Sequence, residues 1–297
     1  MRILLTGATG FIGSAFLRLA SDRGHEVAAL VRPGRVAASL PPADRRRWLI
    51  GSLAEPPWDE IKRVQPDACV HAAWITTPGV YLQSPENQNF VKWSEEFICR
   101  ACECGVRRVV ALGTCVEYQM ESRPLREDDT PLAPMTPYAR CKNALREVLT
   151  EAAKRGGFSL AWCRIFYPYG IGEHPQRLCS ALVQELARGE TVVLKTPHST
   201  KDFIHIDDLA AALLTVTQSN AAGAINLGTG KGTKVRHLAQ TIAGLMGREK
   251  LVVEADSCAP DPLSFVVADA SKLLALGWRP QIELQDGLAR LIRHLIQ

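Results

Sequence analysis

A tyrosine and a lysine four positions apart could move a proton. Tyr138 and Lys142 stand in the segment Tyr-Ala-Arg-Cys-Lys, and side chains at positions i and i+4 of a helix share one face. An ammonium beside a phenol favours the phenolate and lowers a pKa that starts at about 10. The pair could therefore exchange a proton with a substrate hydroxyl, with Tyr138 as the catalytic acid/base.

A glycine-rich segment near the N-terminus could bind a dinucleotide. Residues 6–13 read Thr-Gly-Ala-Thr-Gly-Phe-Ile-Gly and lie between an apolar strand pattern and an amphipathic helix pattern. The first glycine permits a tight turn, the second lets the backbone approach a pyrophosphate, and the third lets helix and strand pack closely. The helix N-terminus then faces the phosphate charge. We expect the cofactor to be bound by Gly7, Thr9, Gly10, Phe11, Ile12 and Gly13.

Alternating strand and helix patterns must position these groups. Strands are predicted over residues 2–6, 26–31, 68–71, 107–112 and 160–165, and helices over 11–23, 89–103 and 138–154. This alternation predicts an α/β fold with a Rossmann-type doubly wound parallel sheet. After residue 165 the regular alternation ends, and turns separate short strands such as 191–194 and helices such as 235–246. We divide the chain into a cofactor-binding domain over 1–166, its sheet completed by later segments, and a smaller, mixed substrate-binding portion over 167–297.

The spacing G-x-x-G-x-x-G over residues 7–13 resembles the short-chain dehydrogenase/reductase superfamily, and the residues of this segment resemble its extended branch. That branch is the NAD-dependent epimerase/dehydratase family, which modifies sugar nucleotides. Segments 113–118, 138–142, 164–172, 201–208 and 268–278 match its pattern, so the resemblance covers nearly the whole chain. It implies a nicotinamide-dependent enzyme in which Tyr138 and Lys142 also contact the cofactor.

The resemblance assigns a third catalytic residue. Thr114 matches the family's catalytic hydroxyl, which hydrogen-bonds the reacting oxygen. Family members that eliminate water as 4,6-dehydratases place a carboxylic acid directly after this position, where the chain has Cys115 and Val116. Glu117 comes later, and alternation along an extended strand would point it elsewhere. We therefore expect that the protein is not a 4,6-dehydratase.

Two arginines after the second predicted strand favour NADP over NAD. NAD-binding members usually end this strand with an acidic residue, whereas Val31 stands there and Arg32 and Arg35 follow. A guanidinium pairs with the 2′-phosphate that a carboxylate would repel. The alternative is that both arginines are solvated beside an NAD site. The resemblance also places the end of the strand over 68–71 at the cofactor, through His71, Ala72 and Ala73.

Three further residues are candidates for contacting the substrate together with Thr114. Tyr167 stands where the family pattern has an asparagine that often helps to bind substrate, and Lys201 replaces an arginine that commonly reaches the nucleotide diphosphate. Lysine keeps the charge but loses the bidentate fork. A second family arginine is missing from residues 257–261. Arg177, which follows a loop and opens an apolar helix, is the candidate replacement.

Composition narrows the class of partner. The 297 residues are 46% hydrophobic and carry a net charge of +4, which is ordinary for a globular protein. The arginine run over 45–47 predicts a solvated turn or helix end and not a nucleic-acid site. No apolar stretch is long enough to span a membrane, and a strand pattern begins at once, so we expect a cytoplasmic protein. The nine cysteines lack further ligands at metal spacing, so we expect reduced thiols and no metal site.

These patterns predict an NADP-dependent oxidoreductase acting on a nucleotide-linked sugar, with a 4-keto-6-deoxy sugar nucleotide as the leading substrate. A sugar-nucleotide epimerase, a reductase of a non-sugar ketone or aldehyde, and an NADP-binding regulator without chemistry remain alternatives. The resemblance also implies a homodimer, in which the helices over 89–103 and 138–154 form a four-helix bundle. The apolar residues expected to support it are Phe90, Trp93, Phe97, Leu145, Val148 and Leu149.

Overall fold

Helices cover both faces of a seven-stranded parallel sheet in the computed structural model, which describes residues 1–34, 46–255 and 260–296. The strands are β1 (Arg2–Thr6), β2 (Glu26–Val31), β3 (Arg46–Ile50), β4 (Ala68–His71), β5 (Arg108–Thr114), β6 (Ser159–Ile165), β7 (Tyr167–Tyr169), β8 (Val192–Leu194), β9 (Thr200–His205), β10 (Gly223–Leu227), β11 (Gly232–Lys234), β12 (Val252–Glu254) and β13 (Phe265–Val266). The helices are α1 (Phe11–Asp22), α2 (Trp58–Val64), α3 (Glu86–Glu103), α4 (Pro137–Gly156), α5 (Leu178–Ala187), α6 (Ile206–Gln218), α7 (Val235–Met246), α8 (Ser271–Ala275) and α9 (Leu284–Ile296). The main sheet has the order β10-β6-β5-β4-β1-β2-β3, which confirms the predicted doubly wound architecture.

Two apolar layers hold the sheet. All seven residues of β5 are buried, as expected of a parallel strand covered on both faces. Helices α1 and α6 pack on one face with the residues Phe16, Leu17, Leu209 and Leu213. Helices α3 and α4 pack on the other with the residues Phe97, Ile98, Leu145 and Leu149. The carboxyl ends of β1, β4, β5 and β6 therefore meet along one edge, where open α/β sheets bind their ligands.

Strand β3, at the edge of the main sheet, was not predicted from the sequence. Arg46 and Arg47 lie in β3, which pairs in parallel with β2 at the edge of the sheet. The interpretation of this arginine run as a turn or helix end is therefore wrong for these two residues. Leu49 is the one fully buried residue of β3, and an edge strand of this kind tolerates charged side chains.

A smaller portion of the chain has its own core. Helices α5, α7 and α9 contact one another through Leu182, Leu238 and Leu288, which are buried. Beside them β7, β9, β11 and β13 form a mixed sheet. Strand β10 lies between β9 and β11 in the chain but pairs with β6 in the main sheet. The boundary after residue 166 stays a prediction.

Half of the residues expected at a dimer interface belong to the core of the monomer. Phe97, Leu145 and Leu149 are at most 1% exposed and pack against the sheet, so their apolar character needs no partner chain. This part of the prediction is wrong. Phe90, Trp93 and Val148 remain partly exposed.

Across residues 1–34, 46–255 and 260–296, no helix combines the length and the apolar character needed to cross a bilayer.

Candidate active site

The glycine loop has the geometry of a phosphate cradle. Gly7 has a φ of +74°, and a Cβ there would lie 2.6 Å from the carbonyl carbon of Ala72. A Cβ on Gly13 would lie 2.1 Å from the Gly7 oxygen, so both positions require glycine. Gly10 precedes α1, and among the described residues no side chain caps this helix. The exposed backbone of Thr9 and Gly10 and the N–H groups of the first turn therefore fit a diphosphate.

The other predicted cofactor residues surround this loop. Phe11 and Ile12 form the partly exposed start of α1, and Ala72 and Ala73 are partly exposed beside Gly7. Arg32 is exposed one position beyond the end of β2. Its neighbour Arg35 lies outside the described residues.

His71 does not present its imidazole to the cofactor loop. The ring is 1% exposed, with Nδ1 at 2.9 Å from Thr6 Oγ1 and Nε2 at 2.9 Å from Ser94 Oγ. Burial, with a smaller effect of Lys142, lowers its pKa to about 3, so the ring is neutral. Through Thr6 and Ser94, His71 links β4 to β1 and α3 beneath the glycine loop. The Thr6 hydroxyl also accepts the Ala73 N–H at 3.2 Å.

The structure brings the three predicted catalytic residues together. Thr136 caps α4 by accepting the N–H of Ala139 at 3.1 Å, and Pro137 occupies the first helical position, where proline is favoured. Tyr138 therefore lies in the first turn of α4, next to the end of β5, with its phenol near enough to the Thr114 side chain for the two to interact. Lys142 follows one turn later and is 3% exposed.

The direct contacts of the Lys142 ammonium are uncharged groups. Its Nζ donates to the Leu112 carbonyl at 2.7 Å and lies 3.9 Å from the ring centroid of Trp74. Burial lowers the pKa of Lys142 to about 7, although the Glu117 carboxylate acts in the opposite direction. Lys142 therefore titrates near neutral pH.

The surroundings of Tyr138 favour its protonated form. Burial raises the pKa of its phenol, the nearby Tyr81 raises it further, and the Thr114 side chain offsets part of this rise. The Lys142 ammonium is directed at Leu112 and Trp74, so the expected lowering of the Tyr138 pKa by Lys142 stays a prediction. At neutral pH Tyr138 is a proton donor.

A second tyrosine at the site was missed by the sequence reasoning. The rings of Tyr81 and Tyr138 meet edge to face with centroids 4.8 Å apart, and the Arg177 guanidinium lies 5.9 Å from the Tyr81 centroid. The Asn87 side-chain amide donates a hydrogen bond to the Tyr81 carbonyl at 2.7 Å. Tyr167, on β7, is half-buried, and its pKa is raised by burial and by nearby groups that include Tyr81. Tyr81 belongs to a loop between β4 and α3, where no periodic pattern marks a residue as functional.

Lys201 is already paired within the protein. Its side chain is largely buried, and Nζ donates to Asp261 Oδ2 at 3.0 Å and to the Leu263 carbonyl. Ser199 donates to the same carboxylate oxygen at 2.6 Å. The geometry at Lys201 therefore does not favour the expected contact with a diphosphate. Arg177, in contrast, is partly exposed and directly precedes α5.

Glu117 points away from the substrate side, but for a different reason than expected. Residues Cys115–Glu117 form a short 3-10 helix, not an extended strand. The helical turn brings the carboxylate back beneath Thr114, where it is completely buried. The positions directly after Thr114 remain Cys115 and Val116, so the prediction against a 4,6-dehydratase stands untested.

The glycine loop on β1 and the Thr114–Tyr138–Lys142 cluster on β5 and α4 define a dinucleotide-dependent enzyme of the extended short-chain dehydrogenase/reductase type. The chain belongs to the NAD dependent epimerase/dehydratase family, whose model matches residues 3–228.

Relatives of the chain act on sugar nucleotides. It is 29% identical to dTDP-6-deoxy-L-talose 4-dehydrogenase (NAD(P)(+)) of Kitasatospora kifunensis, over 98% of this chain and 94% of the relative. It is 28% identical to UDP-glucose 4-epimerase of Bacillus subtilis (strain 168), over 96% of this chain and 94% of the relative. The structure of Thermus thermophilus UDP-glucose 4-epimerase with NAD superimposes with a TM-score of 0.85 at 25% identity, covering 99% of each chain.

Proposed function

We propose that this protein is an NADP-dependent reductase of a 4-keto-6-deoxy sugar nucleotide. The observation that carries the proposal is the placement of Thr114 at the end of β5 beside Tyr138 and Lys142 on α4, in buried surroundings that keep Tyr138 protonated. A protonated phenol is ready to donate to a carbonyl oxygen that gains negative charge. The relatives named dTDP-6-deoxy-L-talose 4-dehydrogenase support the substrate class, because dehydrogenation of such a sugar at C4 yields a 4-keto sugar.

The protein's own groups divide the work of the reaction. The glycine loop, Ala72, Ala73 and Lys142 would hold the cofactor, which supplies the hydride when bound. Thr114 donates a hydrogen bond to the substrate carbonyl oxygen and thereby orients it. Tyr138 donates its proton to that oxygen as the carbonyl becomes a hydroxyl. The charge on Lys142 favours the phenolate that remains, which then regains a proton from solvent.

The sugar nucleotide would lie against Tyr81, Tyr167 and Arg177. Tyr81 contacts the Tyr138 ring edge to face, and Arg177 and Tyr167 are neighbours of Tyr81. Arg177 supplies a guanidinium suited to a diphosphate, whereas the charge of Lys201 is compensated by Asp261.

NADP preference is the finer part of the proposal. Val31 ends β2 without a carboxylate, and Arg32 follows it with an exposed guanidinium. This arrangement suits a 2′-phosphate. The bound NAD of the Thermus thermophilus epimerase structure makes NAD the alternative to be tested.

The main rival is a sugar-nucleotide epimerase, which the UDP-glucose 4-epimerase relatives favour. An epimerase regenerates its cofactor in each cycle, whereas a reductase consumes it. We therefore offer dTDP- and UDP-linked 4-keto-6-deoxy sugars with NADPH and follow the absorbance of the reduced nicotinamide. Stoichiometric consumption supports the reductase. Interconversion of sugar isomers without net consumption supports the epimerase, and consumption with simple ketones or aldehydes alone supports a non-sugar substrate.

We also propose a homodimer formed by α3 and α4. Phe90 and Trp93 form an edge-to-face pair with centroids 5.6 Å apart, and Val148 is likewise partly exposed. A second copy packed on these helices would cover this apolar surface.

A further inference from the structure

A buried carboxylate lies directly behind the proposed catalytic threonine. Glu117 is 0% exposed, and its Oε1 accepts the backbone N–H of Thr114 at 2.8 Å. Its Oε2 accepts Nε1 of Trp162 at 3.0 Å and Nε of Arg164 at 2.9 Å. All of these donors belong to β5 and β6, so the carboxylate joins the two strands beneath the site.

The backbone leaves room for this carboxylate at one glycine. A Cβ on Gly113 would lie 2.2 Å from Nε1 of Trp162 and 2.7 Å from Oε1 of Glu117. Gly113 precedes Thr114 in β5, in register with Arg164. The close approach of Trp162 and Glu117 therefore depends on the residue next to the catalytic threonine.

The same network continues into a distant part of the chain. Arg164 Nη1 donates to the Tyr118 hydroxyl at 2.8 Å, and that hydroxyl donates to Asn226 Oδ1 at 2.7 Å. The Asn226 amide donates to the Leu125 carbonyl at 2.8 Å. Since Asn226 lies on β10, the position of Thr114 is tied to three adjacent strands of the main sheet.

Stability alone does not account for a charge pair of this kind. The side chains of Arg164 and Glu117 are 2% and 0% exposed. Desolvation of two ions offsets much of their attraction, so apolar residues often serve stability equally well. Removing one partner, however, leaves an uncompensated buried charge. What the pair supplies is a fixed geometry at the end of β5, and its negative member also supports the protonated form of Lys142.

We propose that Glu117 is a positioning residue that holds Thr114 in the geometry required for catalysis. The inference rests on the proposed function, because it assumes that Thr114 and Tyr138 act on the substrate. Glu117 itself does not touch the substrate. A shift of the Thr114 backbone would separate its hydroxyl from that of Tyr138, and misplacement by about 1 Å can cost a hundredfold in rate.

The experiment distinguishes a loss of positioning from a loss of folding by means of a double variant that removes both buried charges. Glu117→Gln alone leaves Arg164 uncompensated, so it is compared with the double variant Glu117→Gln/Arg164→Gln, in which two amides replace two charges. Each variant is assayed on the sugar nucleotide that the wild-type enzyme turns over. We expect the double variant to fold more stably than the single one and to keep the wild-type Kd for NADPH and KM within about threefold. Its kcat should fall by roughly 10- to 100-fold.

A shorter side chain and a matched control complete the experiment. Glu117→Asp keeps the charge beside Arg164 but withdraws the carboxylate by one methylene, so kcat should again fall with KM unchanged. Asp208→Asn alters another buried carboxylate, which accepts the N–H groups of Gln281 and Ile282 at 3.0 Å. This control should lose stability and keep its kcat.

Wild-type kcat in the folded double variant, or in Glu117→Asp, would overturn the positioning role. That result differs from failure of the proposed function, which would appear as native turnover in Tyr138→Phe. If the double variant does not fold, Glu117→Asp alone decides the question.

Discussion

Replacing Tyr138 by phenylalanine removes one oxygen and tests the proposed chemistry. The ring would keep its edge-to-face contact with Tyr81, at a centroid distance of 4.8 Å, and α4 would keep the Thr136 cap. The variant loses the polar interaction of this hydroxyl with Thr114, which is worth at most about 1.5 kcal/mol net, the upper end for a hydrogen bond between neutral groups. It also removes the cost of burying a polar hydroxyl, which acts in the opposite direction. The free energy of unfolding should therefore change by less than about 1.5 kcal/mol.

The rate should change far more than the stability. General acid catalysis contributes roughly 10²–10⁴-fold, which corresponds to about 3–5 kcal/mol of activation free energy. Because Thr114 and the cofactor loop are untouched, KM and the Kd for NADPH should stay near their wild-type values. A loss confined to kcat identifies an interaction made in the transition state.

The assay compares initial rates of NADPH oxidation with a 4-keto-6-deoxy sugar nucleotide, at pH 7, for the wild type and two variants. Thr114→Val is the companion variant, since it removes the other hydroxyl of the pair and should also lower kcat with little effect on cofactor affinity. Thermal unfolding confirms that each variant is folded. Native turnover in Tyr138→Phe would mean that another group protonates the substrate, and the mechanism would have to be abandoned.

Four further outcomes follow from the same geometry. Arg32→Ala should reduce the preference for NADPH over NADH by about 1.5–3 kcal/mol, the range for a hydrogen bond to a charged group; equal wild-type affinities in calorimetry would refute NADP preference. Tyr81→Phe should raise KM for the sugar nucleotide a few-fold and leave the Kd for NADPH unchanged, so an unaltered KM would remove Tyr81 from the substrate site. Since burial depresses the pKa of Lys142 to about 7 from 10.5, the unfolded chain binds more protons between these values, and stability from this group should rise with pH across that window. NADPH affinity should fall over the same rise as the ammonium is lost, and Lys142→Met should flatten both profiles. Sedimentation at micromolar concentration should give the mass of a dimer, and Trp93→Glu should give a monomer.

The local patterns that were predicted correctly share a physical origin. The glycine loop combines three glycines with a strand before it and a helix after it, and the close contacts of Gly10 and Gly13 are local, because both approach the Gly7 oxygen. Tyr138 and Lys142 share a helix face by simple periodicity. Such constraints act over short stretches of chain, so a single sequence displays them.

The relations that were missed depend on contacts between distant residues. Lys201 and Asp261 are 60 positions apart, and nothing local shows that the lysine charge is compensated. Glu117 was expected on an extended strand. Instead, a short 3-10 helix turns its side chain toward Arg164, which lies 47 positions later in the chain. The apolar faces of α3 and α4 also left open whether Phe97 meets its own sheet or a second chain.

The two buried cations beneath the site differ in their partners, and this difference separates architecture from chemistry. Arg164 has a carboxylate and a phenol within hydrogen-bonding distance; burial alone would lower its pKa, but Glu117 and Tyr118 hold it above its usual value. Lys142 has a backbone carbonyl and an aromatic face, and its pKa falls to about 7. A charge that the protein satisfies completely serves to fix geometry, as proposed for Arg164 and Glu117. A charge that it satisfies incompletely gains most from a polar group brought by a ligand, so Lys142, and not Arg164, is the cation placed to respond when cofactor and substrate bind.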